Sequence, residues 1–526
     1  MSRRPHQLIV AVDTDPESAP VPHRGMITLS IMLATIIQAI DGTIANVALP
    51  HMQGNLSASL DQITWVLTSY IVAAGIATPL AGWLNDQFGL KKVLLVSIAG
   101  FTVASVLCGV ADSLFQIVLA RLLQGLFGAA LVPLSQAVLL DVYPPKQHGS
   151  AMAVWGVGVM IGPILGPALG GWLTENWSWR WVFFINVPIG SLAFYGIGRY
   201  IVAKKPLRNV RFDLFGFATL SIAIAALQLL LDRGEQNDWF SSTESWMEAI
   251  TCIVSFAYFL VHTALTPAGK SFFDYRLLRN PNYISGIVLM FLVAMILFSS
   301  RALIATMLQD LFDYPASTAG FVMAPGGIGT MAAMLVVGRV TGRVDVRILL
   351  AVGFAVVAFS SWQMTQYDLT IPKSSIIWPS IVQGVGLGLV FVPLATAAFA
   401  TLSPELRADG TAIFSLLRNI GSAIGISVAQ SQLVRNTQIA HAGLIENLGN
   451  NHANIFTGPL GTAFHLSSLP GVASLNAEIT RQATMIAYLD DFRLMLIVTV
   501  VVIPLLPLMR PPKRDATAVG GGIALE

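Results

Sequence analysis

Two ionisable residues sit deep inside long apolar runs of this chain. A charge in such a place is costly, so it is normally functional, paired or protonated. Asp41 lies in the run 26–48 and Arg121 in the run 114–140. Loss of water disfavours the carboxylate form of an acid, and a neighbouring cation restores it. A group held between those two influences can load and release a proton. At about 1.5 Å per residue, Asp41 stands about 22 Å from the inner end of its helix. Arg121, on a run of opposite direction, reaches a similar depth. A pair between the two is therefore geometrically possible. The plainer readings are a permanently neutral pair, or an acid hydrogen-bonded to Gln38 or Asn46.

Two further cations, Arg301 and Arg418, also fall within apolar runs. Cavity cations would suit anionic or weakly acidic substrates, and structural roles stay equally open. Trp65, Tyr70, Trp155 and Phe391 are candidate pocket walls, with Gln38, Asn46, Gln124 and Arg418 as polar lining. Aromatic rings wall most small-molecule pockets, although bundle core or lipid contact would use the same residues. Gly82 permits close helix approach. Asp86 can cap a helix or pair with a base on a neighbouring bundle, while Lys91 and Lys92 can bind acidic or carbonyl partners. Gly162, Gly166 and Gly170 recur at every fourth position, giving a smooth stripe, and Pro163 and Pro167 bend the helix that carries it.

Some chemistry is excluded. There is no G-x-x-x-x-G-K-[ST] loop, no HExxH and no G-x-S-x-G elbow. Cys108 and Cys252 lie in apolar runs and form neither a metal cluster nor a disulfide framework. A net charge of +2 gives no electrostatic case for nucleic acid. Work done by such a chain draws on an ion gradient, with no cofactor.

The elements that position these residues are membrane spans. Of 526 residues, 55% are hydrophobic and 11% charged, against about 25% charged in soluble proteins; mean hydropathy is +0.70. A span needs about 20 mainly apolar residues. Fourteen runs qualify: 26–48, 62–84, 93–111, 114–140, 150–173, 181–203, 214–231, 247–266, 284–309, 318–338, 348–366, 375–400, 410–432 and 491–510. The short run Leu8–Val12 is too small for a signal peptide, so 26–48 reads as an uncleaved first span. With an inner N-terminus, the inside loops hold twenty Lys and Arg and the outside segments six. That bias supports the count and puts both termini in the cytoplasm.

The chain also repeats. LLQGLFGAALVPL at 122–134 matches IVQGVGLGLVFVPL at 381–394, and Gly162 and Gly166 match Gly421 and Gly425 at an offset of 259. Span 4 thus maps on span 12 and span 5 on span 13, with direction preserved. The expected architecture is all-α: an N-terminal tail (1–25), a six-helix bundle (26–203), two inserted helices with linkers (204–283), a second six-helix bundle (284–510) and a C-terminal tail (511–526). Parallel halves of this kind place a substrate site between them near the midplane. The outer segment 433–490, rich in Asn, His, Ser and Gly, has no convincing span, although 479–489 could be an amphipathic helix.

From residue 26 to 510 the chain resembles the major facilitator superfamily, in particular its fourteen-span drug:proton antiporters of the EmrB/QacA type. Five stretches carry the resemblance: DGTIANVALP from Asp41, GWLNDQFGLKKV from Gly82, RLLQGLFGA from Arg121, GPILGPALGGW from Gly162 and WRWVFFINVPIG from Trp179. LDRGEQNDWFSS at 231–242 is closer still to the EmrB branch. The resemblance implies proton coupling at Asp41 and Arg121, and a conformational latch at Gly82, Asp86, Gly89, Lys91 and Lys92. It also implies an antiporter motif at Gly162, Pro163, Gly166, Pro167, Gly170 and Gly171. Leu90 and Gln87 stand where the family often has bases, which leaves the latch partner open. The repeat keeps Gln383 but offers Ser380 in place of Arg121. The implied activity is export of hydrophobic or amphipathic small molecules across the inner membrane, with a periplasmic adaptor and an outer-membrane channel as candidate partners. A specific metabolite exporter or a proton-coupled importer would share the scaffold. A membrane-embedded enzyme or sensor would need polar clusters that this chain lacks.

Overall fold

A computed structural model describes residues 22–203, 212–266, 275–449, 464–465 and 468–509. The expected tails up to residue 21 and beyond 510, the basic linker 204–211 and the middle of the 433–490 segment lie outside the described residues.

The described chain is helical, and a helix satisfies its backbone polar groups within the segment, as a lipid surrounding requires. Its long helices are α1 (Arg24–Asn55), α2 (Trp65–Ala77), α3 (Leu80–Phe88), α4 (Leu90–Val110), α5 (Leu114–Gly128), α6 (Leu131–Val142), α7 (His148–Asn176) and α8 (Asn186–Tyr200). Then come α9 (Leu214–Arg233), α10 (Thr243–Leu265), α11 (Pro281–Asp310), α12 (Ala316–Val340), α13 (Val346–Met364), α14 (Lys373–Phe399), α15 (Arg407–Gly449) and α16 (Leu469–Val502). Short polar side chains start several of them. Ser113 accepts from the Gln116 amide to open α5, and Asn280 accepts from the Asn282 and Tyr283 amides to open α11.

Twelve helical segments among the described residues are long and apolar enough to cross a membrane, and α2 with α3, bent by 55° at their junction, makes a thirteenth. The fourteenth expected run falls on α16, which begins at Leu469 and is more polar than 491–510 alone. The segment 433–490 therefore differs from a plain outer loop. The helix through 410–432 continues to Gly449, and α16 supplies the return. At ~1.5 Å per residue, the 43 residues of α15 span about 65 Å, against a hydrocarbon core of about 30 Å.

Packing follows the repeat. Helices α1 to α8 pack on one another, as do α11 to α16, and α9 pairs with α10 and leans on α2. The glycine stripe of α7 seats that helix on α1. A Cβ at Gly162 would collide with the Ala39 carbonyl, one at Gly166 with the Thr43 hydroxyl, and one at Gly170 would stand 2.9 Å from Ile44 Cγ1. The repeat-matched Gly421 and Gly425 do the same for α15 on α11, against the carbonyls of Phe291 and Met295. Small residues let backbones approach closely where lipid offers no hydrophobic drive between helices.

The two sets meet along α7 and α12 and at the end of the bundle that carries Arg24, Lys91, Lys92, Arg339 and Arg407. That basic end is closed. A Cβ at Gly82 would fall within the Asp409 carboxylate. Arg407 Nη1 donates to Asp141 at 2.9 Å and to the Leu140 carbonyl at 3.1 Å, and the Ser150 hydroxyl donates to the Gly338 carbonyl at 3.3 Å.

Candidate functional site

Asp41 projects from α1 into the interior of the first helix set and is fully buried. Its Oδ2 accepts from Arg121 Nη1 at 2.6 Å, while its Oδ1 accepts from Gln124 Nε2 and Asn186 Nδ2, both at 2.8 Å. Arg121 and Gln124 are one turn apart on α5, which puts both on one face. Asn186 arrives from the first residue of α8.

Arg121 is itself held by further contacts. Its Nε donates to the Val66 carbonyl at 3.1 Å and its Nη1 also to Gln124 Oε1 at 2.9 Å. The guanidinium lies 4.2 Å from the Tyr70 ring centroid and 5.7 Å from that of Phe183. Asn186 Nδ2 also donates to Ser105 Oγ at 3.0 Å, and Ser105 donates to the Phe183 carbonyl at 2.8 Å. Five helices, α1, α2, α4, α5 and α8, thus converge on one carboxylate.

The second helix set has no such pair at the matching place. Ser380 stands where Arg121 would be, and its hydroxyl only back-bonds to the Ile376 carbonyl at 2.9 Å. Gln383, the counterpart of Gln124, keeps an Nε2 without a partner. Because Gly162 meets Ala39 as Gly421 meets Phe291, the counterpart of Asp41 is the buried Val293.

The other expected site residues fall into separate groups. Asn46 is exposed on α1, and Gln38 donates to Tyr70 Oη at 3.4 Å; neither bonds Asp41, whose amide partners are Gln124 and Asn186. Gln124, expected to line a cavity, is fully buried in the network instead. Trp65 is partly exposed beside Arg233 of α9, 5.7 Å from ring centroid to guanidinium. Trp155 and Phe391 stack at 5.9 Å across the seam between the two sets, with Arg418 5.9 Å above the Trp155 ring.

Of the expected latch, Gly82 packs on Asp409 of the other helix set. Asp86 accepts from Asn85 at 3.1 Å, and Gly89 turns between α3 and α4 with φ +81°, a conformation that favours glycine. Lys91 turns towards its own set, donating to the Gly198 carbonyl at 2.7 Å, and Lys92 lies 5.5 Å from the Phe88 ring. The cross-set base at this end is Arg407, paired with Asp141, a partnership not foreseen from sequence. Asn186 was also missed as a ligand of Asp41, although WRWVFFINVPIG contains it. Apart from that network, α16 carries Asp491, a buried carboxylate whose two oxygens have no hydrogen-bond partner.

Long apolar helices in two repeat-related sets, with a buried charge network in one of them, define a polytopic membrane transporter. The chain belongs to the Major Facilitator Superfamily, whose family model matches residues 31–426. It is 33% identical to the fatty acid resistance protein FarB of Neisseria gonorrhoeae over 94% of this chain and 97% of that one. It is 35% identical to the multidrug export protein EmrB of Escherichia coli K12, covering 82% and 84% of the two chains. EmrB of Haemophilus influenzae is 34% identical, over 89% and 92%. In fold it resembles the human organic anion transporter MFSD10 (TETRAN), with a TM-score of 0.57 at 15% identity over 91% of this chain and all of that one.

Proposed function

We propose that this protein is a proton-coupled antiporter that exports amphipathic toxic compounds across the cytoplasmic membrane by alternating access. The likeness to proteins named for multidrug export supports the cargo. One observation carries the coupling: a fully buried carboxylate held by a fully buried arginine in only one of two matched helix sets. Replacing a buried ion pair with apolar residues is often neutral or stabilising, so stability alone gives no reason to keep one here.

Protonation of Asp41 would cancel the charge that holds Arg121, Gln124 and Asn186 together. Arg121 would keep only the Val66 carbonyl, Gln124 and the Tyr70 face, which loosens α1, α5 and α8 relative to one another. With the basic end closed, Asp41 takes its proton from outside. When that end opens, the proton leaves to the cytoplasm and the network re-forms.

In this reading α16 is the fourteenth crossing, the basic end faces the cytoplasm with both termini, and α9 with α10 are insertions between two six-helix bundles. Gly82 against Asp409 and Arg407 with Asp141 act as the latch of the outward-facing state. The parts of α15 and α16 beyond the membrane form a docking surface for a periplasmic adaptor, itself joined to an outer-membrane channel. Everted vesicles test the central reading. Substrate should accumulate inside while the lumen is acidic, and accumulation that persists after the pH gradient collapses would contradict it.

A further inference from the structure

The seam between the two helix sets holds a cluster of polar atoms that the protein leaves without partners. Arg418 of α15 is nine-tenths buried, yet its Nη1 has no acceptor, and its Nη2 has only a long 3.5 Å contact to Asn419. Trp155 of α7 is fully buried, and its indole Nε1 likewise lacks an acceptor. Ser415, one turn before Arg418, has an unpartnered hydroxyl, and the amide oxygen of Gln136 on α6, a helix that packs on α15, has no donor. Native structures leave few buried polar groups unpaired, and each such group calls for a ligand, a water or an ion.

Charge narrows the choice. Arg121 is matched by Asp41, and Arg407 by Asp141. Among the described residues Arg418 has no acidic partner, and nor does Arg301 of α11. By helix rise, Arg418 lies about 16 Å and Arg301 about 30 Å from the basic ends of their helices. The second helix set therefore presents two uncompensated cations at successive depths. A flat apolar wall adjoins Arg418, because Trp155 stacks on Phe391 with an interplanar angle of 17°.

We propose that Arg418 and the Trp155 indole bind the head of an amphipathic organic anion, a carboxylate or sulfonate, with its apolar body against Trp155 and Phe391. The proposal rests on the export reading above and names its substrate class. Guanidinium and indole N–H can each donate to one oxygen of such a head. The site lies at the seam, where α15 packs on α6 and Arg418 reaches Trp155 of α7, so opening of the basic end exposes the donors to the cytoplasm. It also fixes the charge balance. Exchange of one anion outward for one proton inward moves two positive charges inward, whereas exchange of a monovalent cation moves none. Membrane potential thus drives anion export directly.

The test uses the full chain in nanodiscs and in everted vesicles, with a naphthyl carboxylate and the naphthyl trimethylammonium of the same ring as probes. The carboxylate should bind, and Arg418→Gln should weaken it at least tenfold. Arg418→Lys should restore part of that loss and Trp155→Phe should weaken binding severalfold; neither arginine variant should weaken the ammonium. Shunting the membrane potential should slow carboxylate transport more than ammonium transport. Carboxylate binding unchanged in Arg418→Gln, or equal loss of both probes in Arg418→Gln and Arg418→Lys alike, would overturn the proposal. Ammonium transport that still needs Asp41 would then leave the antiport reading standing. Carboxylate binding that depends on Arg418 without any proton dependence of transport would sink the antiport reading alone.

Discussion

Arg121 Nη1 lies 2.6 Å from Asp41 Oδ2, and neither side chain reaches solvent. The contact ties α5 to α1, with Gln124 and Asn186 closing the other carboxylate oxygen. Removing one member of a buried pair costs about 3–5 kcal/mol, because the other charge is left uncompensated. Arg121→Ala should therefore lower both thermal stability and transport. Arg121→Ala with Asp41→Asn should recover much of the stability but none of the transport. Melting curves of the purified variants check the first claim, and drug susceptibility of cells the second.

Asn186→Leu removes one donor to Asp41 Oδ1 and leaves the ion pair in place. The network then loses its link to α8, so proton movement driven by substrate should fall while substrate binding is kept. Measuring both in vesicles checks this, and unchanged proton movement would place Asn186 outside the coupling network.

Gly166 packs against the Thr43 hydroxyl, and a Cβ there would also stand 3.3 Å from the Ile44 amide nitrogen, so a long side chain must displace Thr43 and α1. Gly166→Leu should cost upwards of about 1–3 kcal/mol through overpacking and should sharply lower the yield of folded protein. Gly25→Ala, which meets nothing within 4 Å, should be silent. Equal yields of the two by size-exclusion chromatography would contradict the seating of α7 on α1.

Asp141→Cys with Arg407→Cys, in a chain with Cys108 and Cys252 replaced by Ala, should be joined by a bifunctional thiol reagent when the basic end is closed. Gly82→Val should reduce that cross-link by pushing Asp409 away. An undiminished cross-link would show that Gly82 does not help hold the end shut.

Much of this was legible because lipid imposes simple rules. Apolar length located the helices, and a constant offset of 259 between Gly162 and Gly421, and Gly166 and Gly425, matched positions that do the same packing job. Depth arithmetic brought Asp41 and Arg121 to one level, where they do pair. The other partners were not legible. Asn186 and Gln124 reach Asp41 through the rotation of α8 and α5 about their axes, which span prediction does not fix. Asp141 lies in the last turn of α6 and Arg407 at the start of α15, remote in sequence, and only the packing of the two sets joins them. The reach of α15 to Gly449 escaped because a helix leaving the membrane loses the apolar signal that marks a span.

Deleting the projecting parts of α15 and α16 should abolish co-purification with a periplasmic adaptor and leave transport in everted vesicles intact. Retained co-purification would remove the docking role from these helices.

The most direct measurement is proton movement coupled to substrate in everted vesicles with an acid lumen, for wild type and Asp41→Asn. Adding substrate to wild type should drain part of the pH gradient as substrate accumulates. Asp41→Asn should bind substrate yet neither drain the gradient nor accumulate it. An Asp41→Asn protein that does both at wild-type rates would contradict proton coupling at Asp41.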